Sequence, residues 1–308
     1  MKHKAIVVFA PTAAGKTALV TKTFGQGGLF DFKAEVVSAD SQAVYKYCNI
    51  GTAKPTQEEC RLIPHHIIDV SEPDKQFGLY EWFLEADKIS HWLNQQGKIP
   101  VICGGTGFYV RNFILGLPKA PECSPELRQQ IQQRMKTQGK EALFAELELY
   151  DPEYAKKINI NDEYRICRAL EVFYTSGKPL SSYKTPNVPR SDFNFCTIIL
   201  NRTKDDLYSR IDLRIEKMFE LGLAEEVECL KKMGLGKESP CMKAIGYSEF
   251  FDSELKNLHQ IKEKIKLDSH HYAKKQYTFM RGIPGAVTVD ADDIDTFSDV
   301  IKKFLIQS

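Results

Sequence analysis

The sequence predicts an α/β protein: a parallel sheet flanked by helices and interrupted by an all-helical insertion. Three observations predict it. Short apolar runs alternate with helical stretches through the first third of the 308-residue chain. One strand-to-helix junction carries Gly15-Lys16-Thr17. Between about 118 and 192 strand signals stop and helical ones continue, and then a strand returns.

The elements follow in order. Residues 5–9, 34–38, 66–70 and 100–103 read as strands because their apolar residues stand together, as strands covered on both faces require. The stretch 78–96 reads as an amphipathic helix through Trp82, Phe83, Ile89, Trp92 and Leu93, ended by Gly97. Pro118, Pro121 and Pro125 mark a boundary. Helices are then expected at 125–137, 139–149, 152–158 and 162–176, the last closed by Gly177-Lys178-Pro179. A strand at 195–200 precedes helices at 204–220, 222–233, 241–251 and 255–281, a strand at 286–289 and a helix at 293–306. The chain divides into 1–117, the first part of an α/β core; 118–192, a helical insertion; and 193–308, the rest of the core with basic C-terminal helices. No repeat or low-complexity tract is present.

The junction Ala10-Pro11-Thr12-Ala13-Ala14-Gly15-Lys16-Thr17 follows the first strand and opens a helix. That context makes a phosphate loop, so the core is P-loop NTPase-like. Backbone N–H groups at a helix N-terminus form an anion site. Lys16 adds a point charge, and Thr17 a hydroxyl for Mg²⁺. Ala10 stands where the pattern has a first glycine, so the loop entry is expected to differ slightly.

Bulk properties exclude several classes. Net charge is +1, so no global basic field advertises nucleic acid, and an RNA-binding surface must be local. No run of about 18 apolar residues is present, which argues against a transmembrane helix. The chain enters its first strand at once, leaving no room for a signal peptide. The eight cysteines form no Cys-x-x-Cys pair, so reduced thiols in a cytoplasmic protein are expected rather than a zinc site.

Other residues gather where such folds bind ligands, beyond the carboxyl ends of the strands. Asp40, in Ser38-Ala39-Asp40-Ser41-Gln42, is placed for Mg²⁺ support or general-base work, although an Asp there also caps turns. Asp69 competes for the same role. Gly104-Gly105-Thr106-Gly107 permits close backbone approach and offers a hydroxyl. Lys54 is a lone loop lysine, a type that is usually only solvated. His65-His66 and His270-His271 are adjacent pairs pointing apart, so a shared metal is not expected. Arg165 with Arg168, and Arg210 with Arg214, have helical spacings that clamp phosphates or form solvated ion pairs. Residues 254–281 hold seven Lys/Arg against three acids, a local basic face for RNA phosphates. Tyr272, Tyr277 and Phe279 interleave there and either pack or stack, packing in the core being the commoner use.

Taken in order, these runs resemble the bacterial tRNA dimethylallyltransferase (isopentenyltransferase) family. The resemblance rests on Ala10–Thr17, Ser38–Gln42, Ile50-Gly51-Thr52-Ala53-Lys54-Pro55, Pro64-His65-His66 and Gly104–Gly107. It continues through Asn161-Asp162, Arg165 to Val172, Ser176-Gly177-Lys178, Arg210 to Arg214, Gly222-Leu223, Ala244-Ile245-Gly246-Tyr247 and Tyr272 to Gln276. It spans nearly the whole chain. The departures are Ala10 for Gly, Ala14 for a frequent Ser, and Phe279-Met280 for a frequent Trp and another apolar residue.

The resemblance implies that a dimethylallyl group passes from its diphosphate to N6 of the adenosine 3′ to the anticodon in tRNA. It implies donor binding at Ala10, Pro11, Thr12, Ala13, Ala14, Gly15, Lys16 and Thr17, with Mg²⁺ at Thr17. Asp40, Thr106 and Arg210 would be the catalytic groups. Contacts to tRNA would come from Asp40, Ser41, Gln42, Ala43, Lys54, Thr106, Arg128, Asn161, Asp162, Arg165, Gln276 and Arg281. The anticodon stem-loop would be gripped by the insertion. A cytoplasmic monomer with no membrane partner is expected.

Three alternatives stay open. A small-molecule kinase also needs a phosphate loop, a strand-end Asp and an Arg-bearing helical lid, but not the basic helix. A relative that prenylates free adenine nucleotides needs no RNA-sized surface. A nucleotide-gated RNA-binding protein would not need Asp40 and Thr106 together.

Overall fold

A computed structural model describes residues 2–30, 32–184 and 186–307. Strand β1 (His3–Phe9) leads through the phosphate loop into α1 (Lys16–Phe24). Then come β2 (Ala34–Ser38), α2 (Gln57–Leu62), β3 (His65–His66), α3 (Leu79–Gln95), β4 (Ile99–Gly104) and α4 (Gly107–Leu115). Next are α5 (Pro125–Tyr150), α6 (Pro152–Ala155) and α7 (Glu163–Ser176). The chain returns through β5 (Phe193–Asn201), α8 (Lys204–Glu220), α9 (Leu223–Lys232), α10 (Leu258–Met280), β6 (Val287–Asp290) and α11 (Ile294–Gln307).

The strands form one parallel sheet in the order β3-β2-β4-β1-β5-β6. Its centre is apolar because both faces are covered. Ala5 to Phe9 and Val37 are fully buried. The order puts β4 and β5 on either side of β1. The loops after β2, β4, β1 and β5 therefore open along one edge, where ligands bind in such sheets.

By contacts the chain falls into two compact units: residues 1–115 with 189–308, and 116–188. The smaller unit contains only helical elements among its described residues. It has its own core of Ile131, Met135, Leu143, Leu147, Ile166 and Leu170. Ser124 caps α5, and Asp162 caps α7 by accepting from Arg165 N.

Several elements differ from the sequence reading. The third strand was expected over 66–70 and covers only His65–His66. Ile67 (φ 60°) and Asp69 (φ 55°) adopt left-handed backbone, which ends extended pairing. The helix expected at 241–251 is two 3₁₀ turns, Pro240–Lys243 and Ser248–Phe251. Gly246 between them has φ 100°, a conformation no helix contains. The helices expected at 125–137 and 139–149 are found, by contrast, as two helices that meet at a kink at Gly139, whose φ of 83° is not helical. Helix α2, held by the Thr56–Glu59 capping box, was not anticipated.

Candidate functional site

The phosphate loop owes its shape to two left-handed residues, Ala13 (φ 60°) and Gly15 (φ 91°). Gly15 tolerates this freely, whereas Ala13 must be held there. Ala10 does not have positive φ. It is fully buried and its N–H reaches Gly104 O at 3.4 Å, so alanine fits the entry without strain.

The loop is fastened from two sides. Arg202, at the end of β5, donates from Nε to Ala14 O at 2.9 Å. Its other nitrogens engage Asp206 and, by two bonds, Asp292. From α10, Gln276 Oε1 accepts from Thr12 N at 3.0 Å, and Nε2 donates to Gly105 O at 2.7 Å. Next in sequence, Tyr277 OH accepts from Arg202 N and donates to Arg202 O.

Above this loop lies a cavity of about 420 Å³ within the larger unit. Its polar lining includes Lys16, Thr17, Asp40, Gln42, Arg214 and Tyr272, and its apolar lining includes Val20, Ile211, Ile215, Met218, Ile245 and Ile265. Lys16 Nζ donates to Pro11 O at 3.1 Å. Burial holds the Lys16 ammonium below the usual lysine range, against the opposing pull of Cys103 and Asp40. Burial likewise lowers Arg214, which Asp40 partly offsets. Burial pushes the Cys103 thiol up to about 11, so it stays neutral beside Lys16. Two desolvated cations faced by one Asp make a site that gains from an added anion.

Asp40 follows β2. Its Oδ1 accepts from Gln42 N at 2.9 Å and Ala43 N at 3.3 Å. These bonds fix the carboxyl and leave Oδ2 without a protein donor among the described residues. Thr106 Oγ1 accepts from Ser41 N at 2.9 Å and donates to Ser41 Oγ at 3.3 Å, tying the β4 turn to the β2 turn. Gln42 Oε1 is buried without a partner among the described residues. A buried acceptor in a cavity wall calls for a donor from a ligand.

The donor set also fits a hard divalent cation. Thr17 Oγ1 is an oxygen donor at the cavity with no protein partner among the described residues, the ligand type Mg²⁺ takes beside phosphate oxygens.

The site reading from sequence is redistributed in three places. Arg210 does not line the cavity; its Nε is 3.0 Å from both Asp206 oxygens and its side chain is 43% exposed. Arg214, one turn on, lines it instead. The spacing of Ile211 and Ile215 around Arg214 held that signal. Lys54 is not a surface cation. Its side chain is 5% exposed and its ammonium reaches Tyr45 O, Asn49 Oδ1 and Asp69. Gln276 is also inward, spent on two backbone groups. Arg281 is exposed at the end of α10.

In the helical unit, Arg128 Nε lies 3.6 Å from buried Glu171. Asn161 Oδ1 accepts from Lys140, and Arg165 pairs with Asp162 at 3.3 Å. Tyr272, read as packing, is a cavity residue. Among the described residues no helix is long and apolar enough to cross a membrane.

Residues 43–283 match the family model described as IPP transferase. The chain is 40% identical over 280 residues to a tRNA dimethylallyltransferase of Sulfurihydrogenibium sp., covering 90% of this chain and 88% of the relative. It is 36% identical over 312 residues to that of Thermoanaerobacter sp., covering 99% and 97%. Among solved structures it resembles tRNA delta(2)-isopentenylpyrophosphate transferase from Staphylococcus epidermidis. That match has a TM-score of 0.68 and 31% identity, over 98% of this chain and 99% of the other. A eukaryotic dimethylallyltransferase acting on tRNA shares the fold at a TM-score of 0.80 and 24% identity, over 99% and 78%. With a family model matched across most of its length and relatives aligned nearly end to end, the chain belongs to the IPP transferase family.

Proposed function

We propose that this protein transfers a dimethylallyl group from dimethylallyl diphosphate to N6 of the adenosine 3′ to the anticodon in tRNA, releasing diphosphate. The observation that carries this is the mixed lining of the cavity. Lys16, Thr17 and Arg214 bring anion-seeking groups to it, Ile211, Ile215 and Met218 bring apolar surface, and Asp40 supplies one fixed carboxyl. A five-carbon allylic diphosphate has that division of polarity, and so does the reaction. The amino nitrogen forms a bond to the allylic carbon as the carbon–oxygen bond breaks. The electron pair of the broken bond leaves on the diphosphate.

Lys16, Arg214 and the N–H groups at the start of α1 bind the diphosphate and stabilise the charge growing on it. Asp40, oriented by Gln42 N and Ala43 N, holds the amino group and accepts its proton through Oδ2. Thr106 keeps the two loops in register. Thr17 would hold Mg²⁺, and the ion would supply additional neutralisation of the leaving diphosphate. The apolar wall excludes water, which would otherwise compete for the allylic carbon.

On the same reading, Ser41, Gln42, Ala43 and Arg281 border the acceptor RNA. Arg128, Asn161, Asp162 and Arg165 contribute to holding the anticodon stem-loop. Lys54 and Gln276 act indirectly, by shaping the loops that meet it. The protein works in the cytoplasm as a monomer.

A transfer assay tests this. Protein, Mg²⁺ and labelled dimethylallyl diphosphate are incubated with unmodified tRNA, with AMP in a parallel tube and with ATP replacing the prenyl donor in another. Label in tRNA alone is expected. Label in AMP would assign the protein to free-nucleotide chemistry, and ATP turnover without prenyl transfer would make it a kinase.

A further inference from the structure

The mechanism above leaves one large cavity side chain without a task. Tyr272, on α10, carries the only benzene ring among the described residues that line the cavity. Its ring has no aromatic neighbour among the described residues. The residue is 37% exposed and lines the cavity. That hydroxyl lies 3.5 Å from Gly105 O, on the turn that carries Thr106. Burial, with the nearby Asp40, pushes the phenol up to about 12, so it remains protonated.

The geometry points to Tyr272 as a positioning residue: its ring is the platform on which the acceptor adenine stacks while Asp40 addresses the amino group. The inference rests on the proposed transfer to an adenosine. An adenine that reaches Asp40 must leave its own stack, at a cost of a few kcal/mol. Stacking on an aromatic face returns about 1–3 kcal/mol per base. A partly exposed aromatic residue at the cavity suits a base arriving from outside. It does not suit shielding of an allylic cation, which needs an enclosed ring.

Two further observations agree with it. Gln42 Oε1 is a buried acceptor without a partner in the same cavity, available to a base donor. Gln276, one turn along α10 from Tyr272, is bonded to Thr12 N and Gly105 O. This fixes the helix that carries the ring against the phosphate loop, so a base stacked on the ring is placed relative to the donor.

The test uses Tyr272→Phe and Tyr272→Trp, which keep a ring, and Tyr272→Leu and Tyr272→Gln, which remove it. Steady-state transfer is measured against tRNA and against dimethylallyl diphosphate. Binding is followed with tRNA carrying 2-aminopurine at the target position, which lacks the N6 amino group and does not react. The ring-free variants are expected to lose about tenfold or more in kcat/KM for tRNA, with the KM for the prenyl donor changed less than about twofold. The Phe and Trp variants stay within about threefold of the parent. Bound 2-aminopurine is quenched by the parent and ring-keeping variants and brighter with the ring-free ones. Equal emission across all five proteins overturns the inference, even if transfer slows. So does an unchanged kcat/KM in the ring-free variants. Absence of transfer by the unaltered protein would instead refute the proposed reaction.

Discussion

Gly51 lies against the ring of Tyr247: a Cβ at Gly51 would stand 2.5 Å from Tyr247 Cζ. Tyr247 is fully buried, and its hydroxyl donates to Glu226 Oε1 at 2.7 Å. The same carboxylate accepts from the N–H groups of Asn49, Ile50 and Gly51 at 2.9–3.1 Å. One acid on α9 therefore joins the 49–51 loop to the 244–247 turn, and both segments border the cavity. Gly51→Ala is expected to destabilise by about 1–3 kcal/mol, because the ring it meets cannot move freely. Thermal unfolding measures it. An unchanged melting temperature would mean that the loop shifts at no cost.

Asp40→Ala is expected to lower prenyl transfer by about 10²–10⁴-fold, the range for loss of a positioned base. Binding of tRNA by filter retention should persist. Equal loss of both in a folded variant would argue against the base role.

Arg214 and Arg210 separate by position. Arg214→Gln removes a cation from the cavity and is expected to lower kcat by about 10²–10³-fold. Arg210→Gln breaks only an exposed pair with Asp206, whose contribution is small, and should change kcat by less than about tenfold. Single-turnover rates decide between them, and the reverse order would return the diphosphate role to Arg210.

Arg202 holds the phosphate loop without lining the cavity. Its planar fork meets Ala14 O, Asp206 and Asp292 together, a geometry that an ammonium cannot reproduce. Arg202→Lys should lower kcat/KM for the donor by about 10–100-fold through misplacement of the loop. The effect should be on the donor first, with tRNA affinity nearly unchanged. A normal donor KM would show that Gln276 suffices as the fastening.

Glu35 links stability to pH. Burial would raise its carboxyl, but hydrogen bonds from Lys98 and His66 reverse this and hold it below the ordinary value of 4.5. A depressed carboxyl contributes stability that is present above the unfolded value and is lost as pH falls through the folded one. The melting temperature should therefore fall on acidification below about pH 4.5. Glu35→Gln should melt lower at neutral pH and show a shallower acid limb. Parallel curves for the two proteins would remove Glu35 from the acid response.

The order of elements, the phosphate loop and the strand-end Asp40 were legible in the sequence because their signals are local. A buried strand is an apolar run, and a helix N-terminus is a cap followed by a period. A Gly-Lys-Thr after a strand has few other uses. What was not local was not legible. The third strand was overread because nothing in Ile67 to Asp69 advertises left-handed backbone. The helix expected at 241–251 failed because Gly246 is placed by packing against Gly51, nearly two hundred positions away.

The same division holds for the site. Sequence by itself determined which chemically able residue types follow which strand ends, since residue type and chain order fix both. Only the tertiary structure decided which of two arginines four residues apart lines the cavity. A turn of α8 places Arg214 in the cavity and leaves Arg210 on Asp206. It likewise turned Lys54 and Gln276 inward to backbone acceptors and donors and left Tyr272 partly exposed at the cavity. Side-chain direction follows from what each helix packs against, and that partner is distant in sequence.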